Sequence, residues 1–190
     1  MISSNEQSSI TGARRIARFL TASIARELGI LLCLSVMFPF MVHVLPVPGD
    51  ARWGPRLLPM FYAPLLAALW GRVRSAVAVA LLAPWLNWAL TGYPVPAGAG
   101  LMMVELSGFV FVLCALLRGV GPRWYLAAPA YIAGKMAGCL VAGLVPALVD
   151  GRPALAWALQ SAAISAPGVA ILVLINWLAL RFYPPGAAAA

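Results

Sequence analysis

Six polar side chains interrupt long apolar stretches of this sequence: His43, Asn87, Glu105, Lys135, Gln160 and Asn176. In a hydrocarbon setting an ionisable group costs several kcal/mol unless it is paired or hydrated, so such positions are functional candidates by default. Glu105 has two readings, a carboxylate facing a hydrated pocket or one hydrogen-bonded to a neighbouring helix. Lys135 lies within Gly134-Lys135-Met136-Ala137-Gly138, whose glycines permit close helix approach and favour packing inside the bundle. Counted from opposite membrane faces, Glu105 and Lys135 fall at different depths, so a snorkelling lysine or a backbone carbonyl partner is expected rather than a pair. His43 is the only histidine. Without clustered cysteines or carboxylates it points to a capping or interfacial role, with ligation of a metal brought by the substrate as the alternative.

A second group, Trp85, Trp88, Tyr93, Met102 and Met103, gathers around Asn87 and a Pro/Gly loop at 91–100. Flat apolar walls of this kind suit a large ligand, and they also make the aromatic belt of a membrane interface. Trp85, three residues deeper than Trp88, is the better candidate for a pocket. Arg152, in a later turn expected on the same side, completes the candidate ligand-binding set. There is no GxSxG, HExxH or phosphate-binding loop, so an enzyme is not expected.

The elements that must position these residues are membrane spans. The chain is 63% hydrophobic and 9% charged, with a mean hydropathy of +0.94, whereas soluble domains carry about 25% charged residues. Apolar segments at 24–45, 57–70, 75–90, 101–117, 124–149 and 154–182 predict six transmembrane helices in an all-α integral membrane protein. The second is too short to cross regularly, and the sixth is expected to bend near Pro167-Gly168. Residues 1–23 read as a polar and basic segment without a cleaved leader, 24–182 as the transmembrane domain and 183–190 as a short tail. With six spans in 190 residues, no nucleotide-binding domain fits, and ATP-driven work would need a partner chain. Cys33, Cys114 and Cys139 read as buried small hydrophobes, not as a disulfide framework.

The formal charge of +8 is explained by membrane orientation, not nucleic acid. Arg14, Arg15, Arg18, Arg26, Arg72, Arg74, Arg118, Arg123 and Arg181 fall on one side, against Arg52, Arg56 and Arg152 on the other. The positive-inside rule then predicts both termini in the cytoplasm, with outward loops at 46–56, 91–100 and 150–153.

Several runs, Gly54 to Met60, Ala63 to Gly71, Leu82 to Asn87, Thr91 to Pro94 and Met102 to Leu106, resemble the substrate-binding S components of energy-coupling factor (ECF) vitamin transporters. The similarity covers about residues 24–180. It implies a six-helix S-component bundle in a bacterial cytoplasmic (inner) membrane, with a vitamin site capped by the outward loops. Within that superfamily the chain most resembles the BtuM-type cobalamin transporters, some of which are expected to work without a dedicated ECF module. That resemblance implies cobalamin as substrate, no intrinsic cofactor, and a cobalt-ligating cysteine on the third helix. The corresponding stretch, Val79 to Pro84, has none; the missing thiol falls at Ala80, where a methyl cannot ligate metal. Cobalt-ligand exchange would therefore need a restored cysteine. Read without the resemblance, Ala80 is ordinary helix packing. Ala13, Ala17, Thr21 and Ala25 keep the small-residue spacing by which S components dock on a shared transmembrane subunit. The alternatives are an S component for another vitamin or small heterocycle, and a membrane-embedded enzyme or structural subunit.

Overall fold

The computed structural model describes residues 23–41 and 53–183. His43, the arginines at 14, 15, 18 and 52, and three of the four small docking residues lie outside them. Every regular element among the described residues is helical: α1 (Ser23–Met41), α2 (Trp53–Leu57), a 3-10 turn at Pro59–Phe61, α3 (Tyr62–Leu69), α4 (Val73–Thr91), α5 (Pro96–Gly119), α6 (Ala127–Leu144), a 3-10 turn at Pro146–Val149, α7 (Ala154–Ile164) and α8 (Ala166–Phe182). Four of these, α1, α4, α5 and α6, are long and apolar enough to cross a membrane, and the bent pair Pro146–Ile164 with Ala166–Phe182 makes a fifth.

Proline and glycine set the boundaries. Val95 is extended and Pro96 occupies the first turn of α5, where its missing N–H leaves no bond unmade. α5 therefore begins five residues before the span expected from hydropathy. α6 stops at Leu144 because Pro146 cannot continue its ladder, and residues 146–149 form a 3-10 turn instead of helix. Gly92, with φ 73°, closes α4 by donating its N–H to the Trp88 carbonyl at 2.8 Å. Pro84 is accommodated inside a continuous α4. The last apolar segment breaks at Ser165 with a bend of 59°. The break comes two residues before Pro167, whose ring would otherwise meet the carbonyl four positions earlier.

α5 lies between α4 and α6 and supplies the centre of the core through Leu106, Phe109 and Leu113. Lipid is as apolar as leucine, so in a bilayer close packing rather than apolar burial would hold helices of this kind together. Gly134 and Gly138 of α6 face α5, and a Cβ on Gly134 would fall 2.4 Å from the Glu105 carbonyl oxygen. α1 is held more loosely, with 17% of its apolar window buried against 33–39% for α4 to α6. On it, Cys33 is exposed, contrary to expectation, because only Leu31, Ser35 and Pro39 form its inward stripe. Cys114 is buried and Cys139 partly so.

Candidate functional site

Glu105 and Lys135 form an ion pair, which corrects the expectation that they lie at different depths. Lys135 Nζ donates to Glu105 Oε1 at 2.8 Å and Oε2 at 2.9 Å. The physical reason is the shifted helix ends. Glu105 is nine residues on from Pro96, Lys135 is nine residues back from Leu144, and α5 and α6 run antiparallel. Both therefore sit about 13 Å from the same end of the bundle. Glu105 does not face a hydrated pocket; it is 5% exposed.

The third proton of Lys135 goes to Ser161 Oγ on α7 at 2.7 Å. Its ammonium also lies 5.1 Å from the Trp157 ring centroid and 6.0 Å from that of Tyr131, within cation–π range. Three helices are thus joined through one ammonium group. An apolar layer covers it on each side. Toward the start of α5, Leu101, Ala142 and Val149 pack with Trp157. Toward the other end, Phe61 meets Phe109 edge-on at 5.2 Å and Tyr131 at 5.6 Å. All three ammonium protons and both carboxylate oxygens are thus engaged within the cluster.

Two interrupted helices meet beside this cluster. The first break is Leu58, a buried leucine at φ 53°, ψ 41°, between α2 and the 3-10 turn. A left-handed leucine is strained and persists only where its surroundings hold it. Here the Tyr62 hydroxyl donates to the Leu57 carbonyl, and the Phe61 N–H to the Leu58 carbonyl at 3.0 Å. The second break is Ser165, whose hydroxyl donates to the Ser161 carbonyl at 2.7 Å. The breaks touch at Gly168 of α8, where a Cβ would stand 2.6 Å from the Arg56 carbonyl oxygen and 2.8 Å from the Leu57 carbonyl carbon. Only glycine fits so close an approach.

The remaining candidates are dispersed. Ala80 is fully buried in the core, as helix packing predicts. Trp85, five residues on, points about 140° away around α4 and is 38% exposed. Its indole N–H donates to Met103 Sδ at 3.3 Å, so Trp85 and Met103 form a wall on a face that Ala80 does not share. Met102 packs against the core. Asn87 is buried and donates to the Tyr93 carbonyl at 2.8 Å, closing the α4–α5 turn while the Tyr93 ring stays exposed. Arg152 donates to the Val149 carbonyl at 3.1 Å and lies 4.0 Å from Asp150, within its own turn. Asn176 ties α8 to the Arg123 and Trp124 carbonyls, and Gln160 is exposed. Among the described residues no three His, Cys, Asp or Glu side chains gather as metal ligands.

Sequence reasoning missed Tyr131, Trp157, Ser161 and Ser165. Their signal was periodic: Tyr131 with Lys135, and Trp157, Ser161 and Ser165, repeat at four-residue spacing and share helix faces. The chain matches no known protein family, no characterised protein and no solved structure.

Proposed function

We propose that this chain is a vitamin-uptake protein of a bacterial cytoplasmic membrane, with six spans and both termini in the cytoplasm. It would take cobalamin from the outer side and release it inward. The observation that carries the transport reading is the contact between two interrupted helices, at Leu58 and at Ser165, beside the Glu105–Lys135 pair. Broken helices and intramembrane charges are the recurring features of transporter binding sites, because backbone outside a regular helix is tolerated in a membrane only against protein or a cavity. The short run Pro59–Leu69 counts as the second span in this reading, shielded by its neighbours. The arginine distribution supports the orientation. Cobalamin rests on the sequence resemblance.

A second reading of the ligand is favoured by the polar side chains beside the break. Tyr131, Lys135, Ser161 and Ser165 converge there, whereas Ala80, the position the corrinoid reading singles out, is closed within the core. Of these groups the buried Tyr131 hydroxyl has no hydrogen-bond partner among the described residues, and an unsatisfied polar group suits a smaller heterocyclic vitamin held by hydrogen bonds.

Gel filtration of the detergent-purified protein after incubation with cobalamin, followed by an absorbance spectrum, separates the readings. Retained corrinoid in the native chain, with a shifted corrin spectrum added by Ala80→Cys, supports cobalamin. No retained corrinoid in either form overturns it, and retention of a smaller vitamin from a parallel panel would then support the second reading. Gly168→Val, which drives a side chain into the 56–58 backbone, is expected to abolish retention of whichever ligand binds; Ser161→Ala, a gentler change, is expected to weaken it.

A further inference from the structure

A large cavity among the described residues lies away from the site above. It has a volume of about 1040 Å³ and opens between α1, the α3–α4 turn and the ends of α5 and α8. Its lining includes the apolar side chains Ile30, Leu34, Leu69 and Leu117. Its rim carries Trp70, Phe182 and Tyr183, exposed by 46%, 67% and 67%, together with Glu27, Arg72 and Arg118. The same end of the bundle bears Arg74, Arg123 and Arg181.

The charges around the rim are unequal. Glu27 is matched: it accepts from the Ser75 hydroxyl at 2.7 Å and faces Arg72 at 3.6 Å. Arg118 has no ion-pair partner among the described residues. The mouth therefore has one unmatched positive charge above an apolar slot, at a helix end where aromatic side chains mark the headgroup level. An apolar gap of this size between membrane helices fills with acyl chain, because an empty one forfeits the contacts of its whole lining.

We propose that this cavity binds an anionic phospholipid, with the phosphate on the Arg118 guanidinium and one acyl chain along Ile30, Leu34, Leu69 and Leu117. A fixed lipid at this place completes the packing of α1, the least buried of the spanning helices. Arg72 becomes a second phosphate ligand whenever it leaves Glu27. The site does not depend on which solute the protein carries.

Native mass spectrometry of the full-length protein in detergent, titrated with phosphatidylglycerol or with phosphatidylcholine of the same chains, tests this. One phosphatidylglycerol is expected to be retained in preference to phosphatidylcholine. Arg118→Gln should lower that preference about fivefold, the factor for one arginine near a charged lipid surface, and leave phosphatidylcholine unchanged. Glu27→Gln should raise the preference by releasing Arg72. Leu34→Trp, which fills the slot, should reduce retention of both lipids, with helicity by circular dichroism confirming the fold. The proposal is overturned by equal retention of the two lipids, by Arg118→Gln keeping the native preference, or by inorganic phosphate displacing the lipid, which would indicate a site for the free anion.

Discussion

Two ion pairs join neighbouring helices among the described residues, and they occupy opposite settings. Lys135 and Glu105, 2.8 Å apart, have side chains only 11% and 6% exposed; Arg72 and Glu27, 3.6 Å apart, are 64% and 25% exposed. The first sits where glycines bring α5 and α6 close together, between two apolar layers. The second spans the gap beside α1, at the mouth of an open cavity. The chemistry of the two pairs is alike, and the surroundings decide what each contributes. Where glycine lets two backbones touch, water is excluded and a charge without its partner becomes very costly. Where the helices stand apart, solvent and headgroups compete for the same charges.

The largest effect expected from this contrast follows the removal of one buried partner. Glu105→Leu leaves Lys135 with Ser161 as its only remaining hydrogen-bond acceptor, and should destabilise the protein by about 3–5 kcal/mol. The double variant Glu105→Leu/Lys135→Met removes both charges and should recover most of that loss. Denaturant unfolding in micelles, followed by tryptophan fluorescence, measures both. If the double variant were no more stable than the single one, the buried pair would be holding the helices by specific attraction rather than by mutual neutralisation.

Next in size is the glycine contact that creates the buried setting. Gly134→Ala places a methyl carbon 2.4 Å from the Glu105 carbonyl oxygen, a backbone atom that moves only with its helix. Gly138→Ala meets the Glu105 side chain at 2.8 Å, which can shift aside. Overpacking costs about 1–3 kcal/mol. Gly134→Ala should lie at the upper end of that range or beyond it, and Gly138→Ala at the lower end, in the same unfolding measurement. Equal losses would mean that α5 and α6 separate easily, and the contrast with the α1 flank would weaken.

How far these settings were legible in the sequence differs between them. The all-helical class, with helices long and apolar enough to cross a membrane, follows from hydropathy, because a run of about 20 apolar residues has few other fates. The glycines flanking Lys135 announced a close approach. The ion pair was hidden by an error of five residues at each of two helix ends: Pro96 and Leu144 set the true boundaries, and apolar runs alone overlook such punctuation. Pro167 announced the bend of the last span, but not that Gly168 would meet residues 56–58, since long-range contacts leave no local trace. Trp85 and Ala80 looked like neighbours along the chain, yet five residues turn a helix by about 140°.

The smallest effect belongs to the exposed pair. Arg72→Gln removes a guanidinium whose partner keeps the Ser75 hydroxyl at 2.7 Å and remains accessible to water. The cost should stay below about 1 kcal/mol and shrink further as salt is raised, because exposed pairs at this distance are screened. Unfolding of the native chain and of Arg72→Gln at low and high salt measures both quantities. Glu105→Leu, measured alongside, should respond far less to salt, since ions do not reach the α5–α6 seam. A salt-independent loss of several kcal/mol in Arg72→Gln would show that α1 closes over the Arg72–Glu27 pair and excludes solvent there, and the two settings would then be one.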